Sequence, residues 1–113
     1  MDLSSFYQEL DNDKDTIITI LELFISEYEN VPNYYNECFN NKKWQDIHIA
    51  SHSLKGILEG FGEKKFTLFL NEIEIKTSKN KSITENDLKY IIENLSIILI
   101  EISVEIDKLK EIE

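Results

Sequence analysis

His52, Lys55 and Gly56 share the run Ser51-His52-Ser53-Leu54-Lys55-Gly56, and their spacing is that of one helix face. Residues three and four apart on a helix are neighbours, and their side chains lean toward its N-terminus. The Lys55 ammonium would therefore stand beside the His52 imidazole, with bare backbone at Gly56 next to both. An imidazole nitrogen is a competent nucleophile near neutral pH. An ammonium one turn away can balance the negative charge of a transferred group without bidentate geometry. A glycine in mid-helix costs roughly 1 kcal/mol relative to alanine, which the close approach of another molecule explains better than stability does. The segment reads as a docking site centred on a nucleophilic histidine. Glu59 and Gly60 fall near the same face and would extend that site, adding a carboxylate beside it.

His48 lies four residues before His52, the spacing of two zinc ligands on a helix. The HExxH pattern is absent, and a third ligand would have to come from Glu59, Glu74 or elsewhere. The simpler account makes His48 a rim residue of the docking face. Lys55 and Glu59 also have the spacing of an i, i+4 surface ion pair.

The elements that must position these residues are helical. Leu3, Phe6, Tyr7 and Leu10 suit a short first helix, ended by the polar run Asp11 to Asp15. Ile17, Leu21, Phe24 and Tyr28 form a stripe over about 16–29. Pro32 suits the first turn of the next helix, with Tyr34, Tyr35, Cys38 and Phe39 on its apolar side. The central helix, about 42–61, turns Trp44, Ile47, Ala50 or Ser51, Leu54 and Leu58 to the core, and Gly62 ends it. A helix over about 63–77 buries Phe66, Phe69 or Leu70, Ile73 and part of Leu68. Thr84 with Asp87 reads as a capping box opening the longest helix, about 84–110. Its main stripe runs from Leu88 to Leu109, while Ile97, Ile100 and Val104 fall off it and predict burial on a second side. Short connections between such helices predict an all-α, antiparallel up-down four-helix bundle with one or two short extra helices near the start.

At 113 residues the chain is expected to form one domain, and only three glycines and one proline disfavour strands joined by tight turns. A net charge of −10 argues against nucleic acid or an anionic membrane as partner. The lone Cys38 excludes an internal disulfide. No signal peptide and no membrane-length apolar run is visible, so a cytoplasmic protein is expected.

His52-Ser53-Leu54-Lys55-Gly56, with Gly62 ten positions after the histidine, resembles the signature of histidine-containing phosphotransfer (HPt) domains. Phe66, Phe69, Leu70, Ile73 and Glu74 fit that family's following helix, and the stripe before Pro32 and Trp44 also suit it, so the likeness covers roughly the whole chain. The resemblance implies a phosphocarrier of two-component phosphorelays without independent turnover, phosphorylated on His52 and assisted by Lys55. It further implies that Glu74 accepts a hydrogen bond from Nδ1 of His52 and leaves Nε2 as the phosphorylated atom. Implied partners are response-regulator receiver domains and a sensor or hybrid histidine kinase, the protein itself being a monomer. The chain would need no cofactor of its own, because the receiver brings the aspartate and the Mg²⁺. Two departures stand out. Ile57, Leu58, Glu59 and Gly60 replace the family's small residues and asparagine, and Ser51 stands where alanine is commoner. A non-phosphorylated helical adaptor using the same face is the principal alternative, beside a metal-binding bundle and a domain of a larger kinase.

Overall fold

The computed structural model describes residues 1–111, and among these every regular element is a helix. Six occur in order: α1 (Ser4–Glu9), α2 (Lys14–Tyr28), α3 (Val31–Asn40), α4 (Trp44–Phe61), α5 (Lys65–Ser78) and α6 (Glu85–Glu111).

The boundaries have local causes. Between α2 and α3 the backbone stays near helical values at Glu29 and Asn30. Pro32, in the first turn of α3, has no N–H to give the carbonyl of Tyr28, so the two helices meet at a break. At the end of α4 Gly62 takes φ +90°, with Gly62 N–H on the Glu59 carbonyl at 3.0 Å and Glu63 N–H on the Leu58 carbonyl at 2.9 Å. These are the two bonds of a glycine-terminated Schellman cap. Lys42 does the same work at the end of α3 with φ +55°, its neighbour Lys43 bonding the Cys38 carbonyl at 2.8 Å. Thr84 and Asp87 bond each other's backbone N–H at 3.0 Å, the reciprocal capping box the sequence predicts for α6.

Packing follows the apolar stripes. Leu21, Tyr35, Ile47, Leu54, Leu58, Leu70, Ile73, Ile91, Leu95 and Ile102 have no exposed surface. The most extensive contact is α4 on α5, and the long α6 packs along both α2 and α3. Phe6 of α1 and Phe24 of α2 meet Phe61 edge-on at 4.9 and 5.3 Å between centroids, closing the core over the end of α4. Tyr35 of α3 bonds Ser51 of α4 at 3.0 Å inside the core, both residues being fully buried.

Three expectations fail. Leu68 is 70 % exposed rather than partly buried. Tyr34 also turns to solvent, leaving Tyr35 and Cys38 as the buried side of α3. Ile97, Ile100 and Val104 are exposed, so α6 is buried on one side only. The physical reason is that α2, α3 and α5 pack against the other side of α6, and among the described residues no helix covers the flank carrying Ile97, Ile100 and Val104. No helix among the described residues is long and apolar enough to cross a membrane.

Candidate functional site

The site lies where α4 and α5 run antiparallel. His48, His52 and Lys55 occupy successive turns of α4, and all three reach a single residue of α5, Glu74. His52 Nδ1 stands 2.5 Å from Glu74 Oε1. Lys55 Nζ pairs with Glu74 Oε2 and also donates to Asn71 Oδ1 at 3.1 Å. His48 Nδ1 faces the backbone carbonyl of Glu74 at 3.1 Å and Thr77 Oγ1 at 3.0 Å. The contacts descend α5 from Thr77 to Asn71 as α4 rises from His48 to Lys55, which is why three residues one turn apart converge on one glutamate.

Burial divides the roles. The His52 side chain is 71 % exposed, whereas that of Glu74 is only 9 % exposed. Burial alone pushes the Glu74 carboxyl up. The Lys55 and His52 hydrogen bonds, with the charges behind them, outweigh it and hold the group below its ordinary value. Glu74 is thus a carboxylate at neutral pH and can only accept. His52 must donate its Nδ1–H, and Nε2 remains as the unbonded nitrogen of an exposed ring. A nucleophile of this kind needs only a partner that can reach it.

Exposed features surround the ring. Gly56 and Gly60 follow His52 at four and eight positions, and a Cβ at either would meet nothing within 4 Å. The glycines therefore leave open space rather than fit a tight contact. Glu59 is exposed, and the Lys55 cation turns inward to Glu74 rather than to Glu59, four residues on along α4. Gly62 is structural. Its φ of +90° disfavours any side chain, and a Cβ there would stand only 3.0 Å from the Asp2 carbonyl oxygen.

His48 is half-buried and bonded to α5. Its Nδ1 and that of His52 turn to the carbonyl and the carboxylate of the same residue, so the two rings do not converge on a shared point. Among the described residues no group of three or more His, Cys, Asp or Glu side chains is placed to hold a metal ion.

Sequence reasoning missed Asn71 and Thr77. Both lie three residues from Glu74, on its face of α5, so the signal was available once Glu74 was singled out. It also missed the apolar surface beside the site. Ile49 lies three residues before His52, and Leu68 and Ile75 bracket Asn71 at helical spacing; all three are exposed. No protein-family model, curated protein or solved structure matches the chain.

Proposed function

We propose that the chain is a histidine phosphotransfer domain, a phosphocarrier that holds a phosphoryl group on Nε2 of His52 between visits to receiver-domain aspartates. One observation carries the reading: an exposed imidazole whose Nδ1–H is bound by a buried, ionised carboxylate, which leaves Nε2 as the nitrogen that carries the lone pair of the neutral ring. The helices support it when read as an antiparallel up-down four-helix bundle. In that reading α2 and α3 form one broken rod beside α4, α5 and α6, with α1 as the short extra helix.

In the transfer, the Nε2 lone pair attacks the phosphorus of an aspartyl phosphate. The N–P bond forms, the P–O bond to the aspartate breaks, and the carboxylate leaves with the electron pair. The ring gains positive charge while keeping its Nδ1 proton, and Glu74 at 2.5 Å stabilises that charge. Lys55 neighbours the ring on the same helix face and can turn from Asn71 toward the phosphoryl oxygens, where compensation of negative charge is needed. Gly56 and Gly60 leave room for the partner's loops, while Ile49, Leu68 and Ile75 offer it apolar contact. Glu59 and His48 belong to the rim of that docking face. The receiver supplies both the aspartate and the Mg²⁺, the donor is a sensor or hybrid histidine kinase, and the carrier is a cytoplasmic monomer without turnover of its own.

Incubation with a phosphorylated receiver and Mg²⁺ should label the protein with an acid-labile, base-stable phosphate, and His52→Gln should abolish the label. The exposed Ile49, Leu68 and Ile75 would equally serve an adaptor that is never phosphorylated. That alternative predicts receiver binding with no label and no loss of affinity in His52→Gln.

A further inference from the structure

We infer that His48 is a positioning residue for the site: it anchors the backbone of Glu74 and thereby sets the tautomer of His52. The carbonyl of Glu74 can only accept, so His48 must present Nδ1–H to it at 3.1 Å. Thr77 directs its own hydroxyl hydrogen to the Ile73 carbonyl at 2.8 Å, so its oxygen accepts from the same Nδ1–H at 3.0 Å. Glu74 is thereby held at its main chain by one imidazole and at its carboxylate by another, one turn along α4. Lys55 takes the remaining oxygen.

Neither ring's bond to Glu74 is replaceable by the apolar packing around it. Ile47, Leu54, Leu70 and Ile73 are fully buried and set the gross register of α5 on α4, but apolar packing is non-directional, whereas a 2.5 Å carboxylate–imidazole bond is lost with a small axial slip of α5. The polar bond from His48 resists such a slip where it matters, at the residue whose side chain must reach His52. On the other flank of α4 the buried Tyr35–Ser51 bond ties the same helix to α3. Without the His48 bond, Glu74 would drift from Nδ1, and His52 would divide between its two tautomers. The fraction with a proton on Nε2 has no lone pair there to attack with.

The consequence for transfer rests on the phosphotransfer reading; the consequence for the tautomer does not, and the experiment separates them. The full chain with ¹⁵N-labelled imidazoles is compared as wild type, His48→Ala and His48→Asn, with melting curves to establish folding. Asparagine places an amide N–H near the position of Nδ1 and restores the donor without the ring. His48→Ala should move the His52 nitrogens from one protonated and one bare signal toward averaged values, and His48→Asn should return them. In a Glu74→Ala background the His48→Ala change should leave the His52 signals where Glu74→Ala alone puts them. In parallel, label uptake from a phosphorylated receiver should fall about tenfold or more in His48→Ala and recover in His48→Asn. Unchanged His52 signals in a folded His48→Ala protein would overturn the inference. So would a disturbance that His48→Asn fails to repair, since that would be lost volume rather than a lost donor. A wild type that takes up no label while the nitrogen signals behave as stated would instead remove the phosphotransfer reading and leave the positioning intact.

Discussion

The carboxylate of Glu74 lies beneath the ring of His52, Oε1 2.5 Å from Nδ1, with the ring in solvent and the acid in the protein. This arrangement links the reactivity of the site to the ionisation of a single buried group, and the linkage has a definite sign. Glu74 is held below its ordinary value of 4.5 in the folded chain. The stability it contributes is therefore present above pH 4.5 and is lost as the pH falls through the depressed folded value. Glu74→Gln should flatten the acid limb of a stability–pH curve below pH 4.5 relative to wild type. A curve of unchanged shape would show that Glu74 is not ionised against its two partners.

Lys55 should affect both stability and chemistry, because its ammonium turns to the buried Glu74 rather than to the exposed Glu59. Lys55→Ala leaves one carboxylate oxygen without its cation and should lower stability by about 1–3 kcal/mol. It should also raise the pKa of Glu74 and slow phosphoryl uptake by His52. Chemical denaturation and carboxyl NMR titration read the first two effects; Lys55→Met, which keeps the aliphatic stem, separates lost charge from lost packing.

Gly56 and Gly60 should prove dispensable for the fold. A methyl group at either meets nothing within 4 Å, so Gly56→Ala and Gly60→Ala should each raise stability by roughly 0.5–1 kcal/mol, the helix preference of alanine over glycine. Gly56→Leu should keep that stability yet obstruct a docking receiver. Gly62→Ala should behave in the opposite way and destabilise by more than about 1 kcal/mol, because its backbone is left-handed and the Asp2 carbonyl is already 3.0 Å from the new methyl. Parallel denaturation curves on the three alanine variants test the contrast directly.

The buried pair Tyr35 and Ser51 should show the asymmetry of an enclosed hydrogen bond. Tyr35→Phe alone leaves the Ser51 hydroxyl without a partner in the core and should cost about 1–3 kcal/mol. Adding Ser51→Ala should recover much of the loss, since both partners are then apolar. A double variant no more stable than Tyr35→Phe would show that the bond serves only to fill space.

Much of this molecule is written locally along the chain. The helix limits follow from Pro32, Gly62 and the Thr84–Asp87 box, and the core from the period of Ile47, Leu54, Leu58, Leu95 and Ile102. The neighbourhood of His52, Lys55, Gly56 and Gly60 is equally local, because rise and turn fix where residues on one helix stand. Glu74 is different in kind. Its place could be expected only from the resemblance to a family, and Asn71, Thr77 and the inward role of His48 were not anticipated at all. Nor was the exposure of Leu68, Ile97, Ile100 and Val104, whose apolar character gave the opposite expectation. Those facts depend on the axial register of α4 against α5 and on which flanks of α6 find a neighbour. Register between helices is settled by an entire interface packing at once, with a sliding shift of one turn changing every cross-helix pair while leaving each helix's own pattern intact. The sequence alone therefore determined a helical chain carrying a histidine, a lysine and a bare patch on one face; only the tertiary structure decided that the histidine is exposed and that a buried carboxylate lies behind it.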